Sequence, residues 1–286
     1  MAVRSYTKPE GYIVMGLKLM YITNSPQIAE IAQEAGVDRI FIDLETLGKS
    51  KRQGHVDSVK SHHTITDIAA IKPFINRAQL LVRVNPINPE SRQEIEEVLA
   101  NGAEIVMLPM FRTAEEVKRF IGLVAGRAKV MLLLETSEAA ENIESILATP
   151  GIDEVHIGLN DLHLAYKKKF MFELFTDGTV SRLSRILQGN GYIYGIGGIA
   201  RIGYGLVPAE YIIAELYKLG ARGAILSRSF CNVDNITDLS QAAELFKDGI
   251  HSIRTWEQVV SEYSPVQFDE NYETLCEIIK KVIRDL

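Results

Sequence analysis

Short apolar runs alternate with longer amphipathic stretches along most of this chain. The runs are YIVMGLKL (12–19), RIFIDLE (39–45), QLLVRVN (79–85), EIVMLPM (104–110), KVMLLLE (129–135), EVHIGL (154–159), YIYGIGG (192–198) and GAILS (223–227). They are rich in Val, Ile and Leu and read as continuous apolar segments, the pattern of parallel strands covered on both faces. Between them SPQIAEIAQEAG, PESRQEIEEVLANG, TAEEVKRFIGLVAG, SEAAENIESILATPG and PAEYIIAELYKLG read as helices. Ser25-Pro26 supplies an N-cap and a first-turn proline, and Gly36 a stop. Gly102, Gly126, Gly151 and Gly220 punctuate other helix ends in the same way.

Eight strand–helix units in roughly 220 residues predict an α/β protein built as a (β/α)8 TIM barrel. A doubly wound open sheet is the rival. It usually has fewer strands and one Gly-rich phosphate turn, and no G-x-G-x-x-G follows the first strand here. Two stretches exceed the minimal barrel: a long polar loop after strand 2, TLGKSKRQGHVDSVKSHHT (46–64), and an amphipathic helix beyond Ser264. The chain is thus expected to be a single barrel domain over 1–286, with 265–286 as a C-terminal helical extension.

Composition narrows the function. Of 286 residues, 47% are hydrophobic and 24% charged, as in an ordinary globular protein, and the formal charge is −6. That balance speaks against a nucleic-acid partner, whose footprint is a basic face. The two cysteines, Cys231 and Cys276, are too few for a Cys zinc site and read as reduced thiols of a cytoplasmic protein. The first residues lack a signal-peptide core, and no run of eighteen apolar residues predicts a membrane span.

Barrels carry their active sites on the C-terminal ends of the strands. There this sequence places Asp43 and Glu45 (strand 2), Arg83 and Asn85 (strand 3), Glu135 (strand 5), and Asn160 and Asp161 (strand 6). Arg201 follows strand 7 and Arg228 strand 8. Crowded carboxylates raise one another's pKa, and a divalent cation removes the conflict. Hard oxygen ligands suit Mg²⁺ or Mn²⁺, with Glu135 and Asp161 as ligands and open positions for water and a chelating substrate. Arg83 suits a substrate carboxylate or oxyanion. Plainer readings stand beside these. Glu135 could be a solvated residue next to a helix cap at Thr136 or Ser137, and Asp161 could itself be a cap. His55, His62 and His63 lie in the long loop, either solvated or supplying a general base. His156, inside a strand, reads as a buried, hydrogen-bonded side chain, and His163 as a rim residue. Lys18, at the end of strand 1, reads as a structural lysine in preference to a Schiff-base former.

In order, FIDLE, LLVRVNP, GAEIVMLPM, LLLETSEAAENI and IDEVHIGLNDL resemble successive motifs of the HpcH/HpaI aldolase and citrate lyase β-subunit family, over residues 12 to 230. The resemblance implies a barrel of the phosphoenolpyruvate/pyruvate type, often with its last helix exchanged between subunits, and hence a homo-oligomer. It implies cleavage or formation of a C–C bond next to a 2-oxo acid or related acyl compound, with bound Mg²⁺ or Mn²⁺ stabilising an enolate. By the motifs, Glu135 and Asp161 resemble the metal ligands, and Arg83 the arginine on the substrate oxygens. Gly158, Leu159 and Asn160 lie where backbone amides bind the substrate carboxylate. Asp43 and Glu45 resemble acids that support the site or hold metal-bound water. The chain also departs from the pattern. Thr46 stands where the aldolases usually have the catalytic His and the lyase-type members an Asp. This leaves His62 or His63 to reach in as the base. GLNDLH differs from the usual turns of both subgroups. Three functions follow: a metal-dependent aldolase, an acyl-CoA lyase of the malyl- or citramalyl-CoA kind, and a ligand-binding barrel without turnover.

Overall fold

The computed structural model of the chain describes residues 16–48, 63–227, 230–231 and 238–286. Its strands are all parallel and lie in one sheet: β1 (Lys18–Ile22), β2 (Arg39–Asp43), β3 (Gln79–Arg83), β4 (Ile105–Leu108), β5 (Lys129–Leu134), β6 (Glu154–Ile157), β7 (Ile193–Ile196), β8 (Gly198–Ile199) and β9 (Gly223–Leu226). Each strand from β1 to β6 pairs with the next, and β9 returns to β1. The sheet has nine members instead of eight because the seventh strand is cut in two. β7 pairs with β6, β8 pairs with β9, and Gly197 between them turns at φ +49°. A Cβ on Gly197 would lie 2.6 Å from Leu159 Cδ1. Glycine meets both the left-handed backbone and the lack of space there. The result is a nearly closed parallel barrel wrapped by helices, the expected architecture.

The helices are α1 (Pro26–Glu34), α2 (Ile65–Ile71), α3 (Ser91–Ala100), α4 (Ala114–Val124), α5 (Ser137–Glu141), α6 (Ile143–Leu147), α7 (Leu159–Ala165), α8 (Glu173–Thr176), α9 (Thr179–Gly189), α10 (Ala209–Lys218), α11 (Leu239–Ser261) and α12 (Pro265–Asp285). The six helical segments read from the sequence all form, and five further helices, α2, α7, α8, α9 and α11, were not among them. Ser25 caps α1 with Pro26 in its first turn, as expected. The five expected stop glycines all take positive φ. SEAAENIESILATPG is two helices, because Asn142 leaves the helical region between α5 and α6. The long α11 has no counterpart among the apolar runs. The first strand also lies later than its run. β1 begins at Lys18, which pairs with Gly223 at the start of β9. Residues 12–15 of that run lie outside the described residues. Lys18 therefore sits at the barrel end opposite the functional rim, which removes the Schiff-base reading.

Alternation along each strand divides the buried side chains into two cores. Leu19, Ile40, Ile42, Leu80 and Val82 face outward into the layer beneath the helices. Met20, Phe41, Leu81, Ile105, Met107, Met131 and Leu133 form a separate cluster that fills the barrel interior. At its floor Arg39 reaches Glu154 with two hydrogen bonds of 2.8 and 2.6 Å. Burial pushes the Glu154 carboxyl up, but the Arg39 hydrogen bonds and charge hold it below the usual range. His156 lies two residues further along β6. Its Nε2 donates to Gly197 O at 3.0 Å, and burial takes its pKa down to about 4. His156 is thus the neutral, hydrogen-bonded strand histidine that the sequence suggested.

The C-terminal half is stitched to the barrel by polar contacts. Glu257 of α11 accepts from Leu17 N at 2.6 Å, and Arg254 bridges Leu17 O and Asp38. α12 begins at Ser264 with a capping box completed by Gln267 and docks on its own barrel through buried Leu275 and Ile279. Asn271 donates to Tyr211 O at 3.1 Å, and Lys218 pairs with Asp269 at 2.9 Å. Beneath this seam Glu215 of α10 is buried, with no partner for Oε2 among the described residues. Burial raises its pKa to about 7, with Lys218 opposing and Asp269 adding to the shift.

In the folded protein Glu215 thus titrates well above the ordinary carboxylate value of 4.5. Folding favours the protonated acid, and the cost of the charged form grows as pH rises from 4.5 to about 7. Glu215→Gln should stabilise the fold by about 3 kcal/mol above that window and leave it unchanged below it. Urea unfolding at the two extremes checks this, and an equal gain at both would contradict it.

Candidate active site

The interior alternation continues to the C-terminal rim, where polar residues replace the apolar ones. Arg39, Phe41 and Asp43 share the interior face of β2, and Leu81 and Arg83 that of β3. The ladder sets Asp43 directly opposite Arg83. Arg83 Nε and Nη2 donate to the two Asp43 carboxylate oxygens, each at 2.9 Å. Its Nη1 lies 3.4 Å from Glu45. The guanidinium also sits over the Phe41 ring, 5.7 Å from its centroid. Burial alone would lower the Arg83 pKa. Asp43, Glu45 and Glu135 more than offset it, so the guanidinium is held above its usual value. Asp43 also folds its own strand end, because Oδ1 accepts from Glu45 N at 3.2 Å.

The second half of the site stands on β5 and β6. Glu135 follows β5 directly and Asp161 lies in the first turn of α7. Asp43, Glu45, Glu135 and Asp161 are between 2 and 6% exposed. Neither acid of this half is a cap. Thr136 caps α5, accepting from Ala139 N at 3.2 Å, and Gly158 occupies the N-cap position of α7. The solvated reading of Glu135 is thereby replaced by a buried carboxylate. Met110 N donates to Glu135 Oε1 at 3.2 Å, and Met110 holds a left-handed backbone with φ +54°. A non-glycine residue in that region costs about 1–3 kcal/mol, here at a contact that aims a site carboxylate. Gly158 packs against the other side. A Cβ there would lie 3.0 Å from Glu135 Oε2 and 3.1 Å from Leu133 Cδ1.

The remaining expected residues divide clearly. His62, His55 and Arg228 lie outside the described residues. His63 approaches the rim, where its Nδ1 accepts from Asp43 N at 3.0 Å. A neutral His63 in this geometry carries its proton on Nε2. Thr46 is engaged by Asn85, whose Oδ1 accepts from the Thr46 and Leu47 amides at 2.9 and 3.0 Å. Asn85 in turn donates to Glu94 at 2.7 Å, so it anchors the strand-2 loop. Leu159 is buried against Gly197, leaving its backbone amide as the polar group. His163 does not line the rim. It is buried in α7, with Nδ1 donating to Leu159 O at 3.1 Å. Met110 and Asn85 are the supporting residues that the sequence pattern did not single out as such. Only the backbone angle at Met110 marks the first, and no sequence signal encodes it.

Among the described residues no three His, Cys, Asp or Glu side chains gather into a closed metal cage. Glu135, directly after β5, and Asp161, in the first turn of the helix after β6, are both buried carboxylates and offer only oxygen donors. That set fits a hard divalent ion retaining water or substrate oxygens in its other positions. The glycine at 158, which leaves Glu135 its space, fits the same arrangement.

A parallel barrel with acids and an arginine converging on its strand ends belongs to the class of α/β barrels built around a rim site. The family model HpcH/HpaI aldolase/citrate lyase matches residues 18–171, and the chain belongs to that family. The chain is 29% identical over 181 residues to a 4-hydroxy-2-oxovalerate aldolase of Novosphingobium aromaticivorans, across 54% of this chain and 63% of that protein. It is 26% identical over 153 residues to pyruvate kinase 2 of Trypanosoma brucei brucei, across 51% of this chain and 30% of that protein. The chain thus spans less than two thirds of the length of these curated relatives. Among solved structures, an HpcH/HpaI aldolase from Desulfitobacterium hafniense DCB-2 superposes with a TM-score of 0.58 at 18% identity, covering 84% of this chain and 93% of that one. At that identity the likeness shows the fold.

Gly158→Ala tests how tightly the β6 turn holds Glu135. Its backbone tolerates alanine, with φ −84° and ψ 99°, so the effect is steric. Displacing the Glu135 side chain should cost about 1–3 kcal/mol of stability, measured by urea unfolding. A variant as stable as the parent would show that the turn has room to spare.

Proposed function

We propose that this chain is a metal-dependent carbon–carbon lyase of the class II aldolase type, acting next to the carbonyl of a 2-oxo acid through a pyruvate-like enolate. The observation that carries the reading is the set of buried carboxylates on one rim. Asp43, Glu45 and Glu135 act on the Arg83 guanidinium, Asp161 is buried in the first turn beyond β6, and carboxylates gathered in this way suit a further cation. A divalent Mg²⁺ or Mn²⁺ held by Glu135 and Asp161 would supply Lewis-acid stabilisation of the enolate oxygen.

The chain's own residues do the rest. Arg83 has five N–H donors, and Asp43 takes two of them. The others are aimed by a clamp that needs no rearrangement, which suits an oxygen whose charge grows during the reaction. Phe41 beneath the guanidinium keeps water from its lower face. The Leu159 and Asn160 amides open the first turn of α7, beside Gly158, and offer donors to the substrate carboxylate. In the cleavage direction a base takes the proton from the substrate hydroxyl. The adjacent C–C bond breaks, an aldehyde departs, and the bonding electrons pass into the enolate, which is then protonated on carbon. His63, with its proton on Nε2, would act as the donor. The acceptor role then falls to His62 or, through water, to Glu45. The 4-hydroxy-2-oxovalerate aldolase relative supports a hydroxy-2-oxo acid as substrate.

Two measurements test this reading. With Mn²⁺ added, the protein should exchange the methyl protons of pyruvate for deuterium, and EDTA should abolish the exchange. Arg83→Met should lower its rate about 10²–10³-fold, as loss of a preorganised oxyanion donor does. Exchange that survives complete chelation would sink the proposal. Glu135→Gln should weaken Mn²⁺ binding, read directly by calorimetry.

A further inference from the structure

Among the described residues, a second arginine after the strand ends pairs with no acid. Arg201 lies two residues beyond β8, the second half of the divided seventh strand, which pairs with β9. Its guanidinium is half-buried and its Nε is closed off from solvent without an acceptor. Among the described residues it makes no hydrogen bond and no ion pair. Arg39, Arg83, Arg127 and Arg254, by contrast, each hold a carboxylate. The thiol that feels Arg201, Cys231, is pushed up by burial and remains neutral, so it supplies no balancing charge.

The guanidinium is nevertheless held in place. Its central carbon stands 4.2 Å from the centroid of the Tyr204 ring. Stacking of this kind fixes the plane of the fork while leaving its in-plane N–H donors available. The carrying turn is braced by Tyr204 N donating to Arg201 O at 3.0 Å and Gly203 N donating to Glu210 Oε2 at 2.9 Å. Parallel barrels frequently bind anionic groups on the loops after their seventh and eighth strands. Counted around this barrel, the third strand with Arg83 and the divided seventh strand with Arg201 stand opposite each other across the mouth.

We infer that Arg201 is a specificity-determining residue that receives a second anionic group, a carboxylate or a phosphate, on the part of the substrate remote from the 2-oxo acid. The inference rests on the aldolase reading above. The favoured substrate then carries an anion at each end, one toward Arg83 and one toward Arg201, and the aldehyde released or accepted bears the second charge.

The test uses the full chain with Mn²⁺ and compares Arg201→Met and Arg201→Lys with the parent. Pyruvate methyl exchange, which needs no distal group, should be the same in all three. Aldol addition of pyruvate is then followed with succinic semialdehyde, glyceraldehyde 3-phosphate and neutral butyraldehyde as acceptors. The parent should prefer one charged acceptor, and which one tells carboxylate from phosphate. Arg201→Met should lose about 10- to 100-fold in kcat/KM for that acceptor and nothing for butyraldehyde. Arg201→Lys should recover part of the loss. A parent without preference for either charged acceptor, or an Arg201→Met variant that slows all acceptors equally, overturns the inference while the exchange result stands. If the parent shows no exchange, the aldolase reading fails instead. Thermal shift with succinate and inorganic phosphate then decides the Arg201 site, since stabilisation should disappear in Arg201→Met. Tyr204→Leu, which frees the guanidinium without removing it, should show a smaller loss in the same direction and guards against misfolding of the first variant.

Discussion

The bidentate pair between Asp43 and Arg83 is the contact around which the rim is organised. Neighbouring parallel strands bring the two side chains side by side on the interior face, and Phe41 closes the space below them. Removing both charges from water is costly, and such a pair adds little net stability. What it does provide is position. A guanidinium whose Nε and Nη2 are taken by one carboxylate cannot rotate, and its remaining donors point one way. Glu45 adds to the hold, and its own amide is tied back to Asp43.

The barrel uses the same chemistry at its two ends for different purposes. At the floor, Arg39 pairs with Glu154 through Nη1 and Nη2 while its buried Nε has no partner among the described residues, and His156 above them stays neutral because burial outweighs the hydrogen bond to Gly197. The floor is electrically closed. Between floor and rim lies a plug of methionine, leucine, isoleucine and phenylalanine side chains. At the rim, Asp43, Glu45 and Glu135 act on Arg83 on one side of the mouth, and on another Arg201 pairs with no acid among the described residues. Unbalanced charge in a partly dry place is where ligands of opposite sign are held.

Much of this was legible in the chain. Continuous apolar runs marked the strands because both faces of a closed parallel barrel are covered. The acids stood out because each interrupts such a run where the strand reaches the rim. Other features were not legible for identifiable reasons. The position of β1 depends on pairing Lys18 with Gly223, some two hundred residues away. The splitting of the seventh strand depends on Leu159 pressing against Gly197. α11 went unmarked because its long amphipathic pattern follows the last strand, where the repeat offers no further strand to bound it. The role of Met110 rests on a backbone angle, which its side-chain type does not encode.

Local chemistry alone determined that this chain alternates strand and helix, where its helices are capped, and which polar residues end its strands. These are properties of nearest neighbours: turn residues, periodicity and burial pattern. Only the tertiary structure decided that Asp43 faces Arg83 and not solvent, that Glu135 is buried and steered by Met110 and Gly158, and that Arg201 pairs with no acid among the described residues. Each of those facts joins residues from different strands. Strand register and barrel closure are cooperative outcomes of the whole sheet, and no single segment carries them.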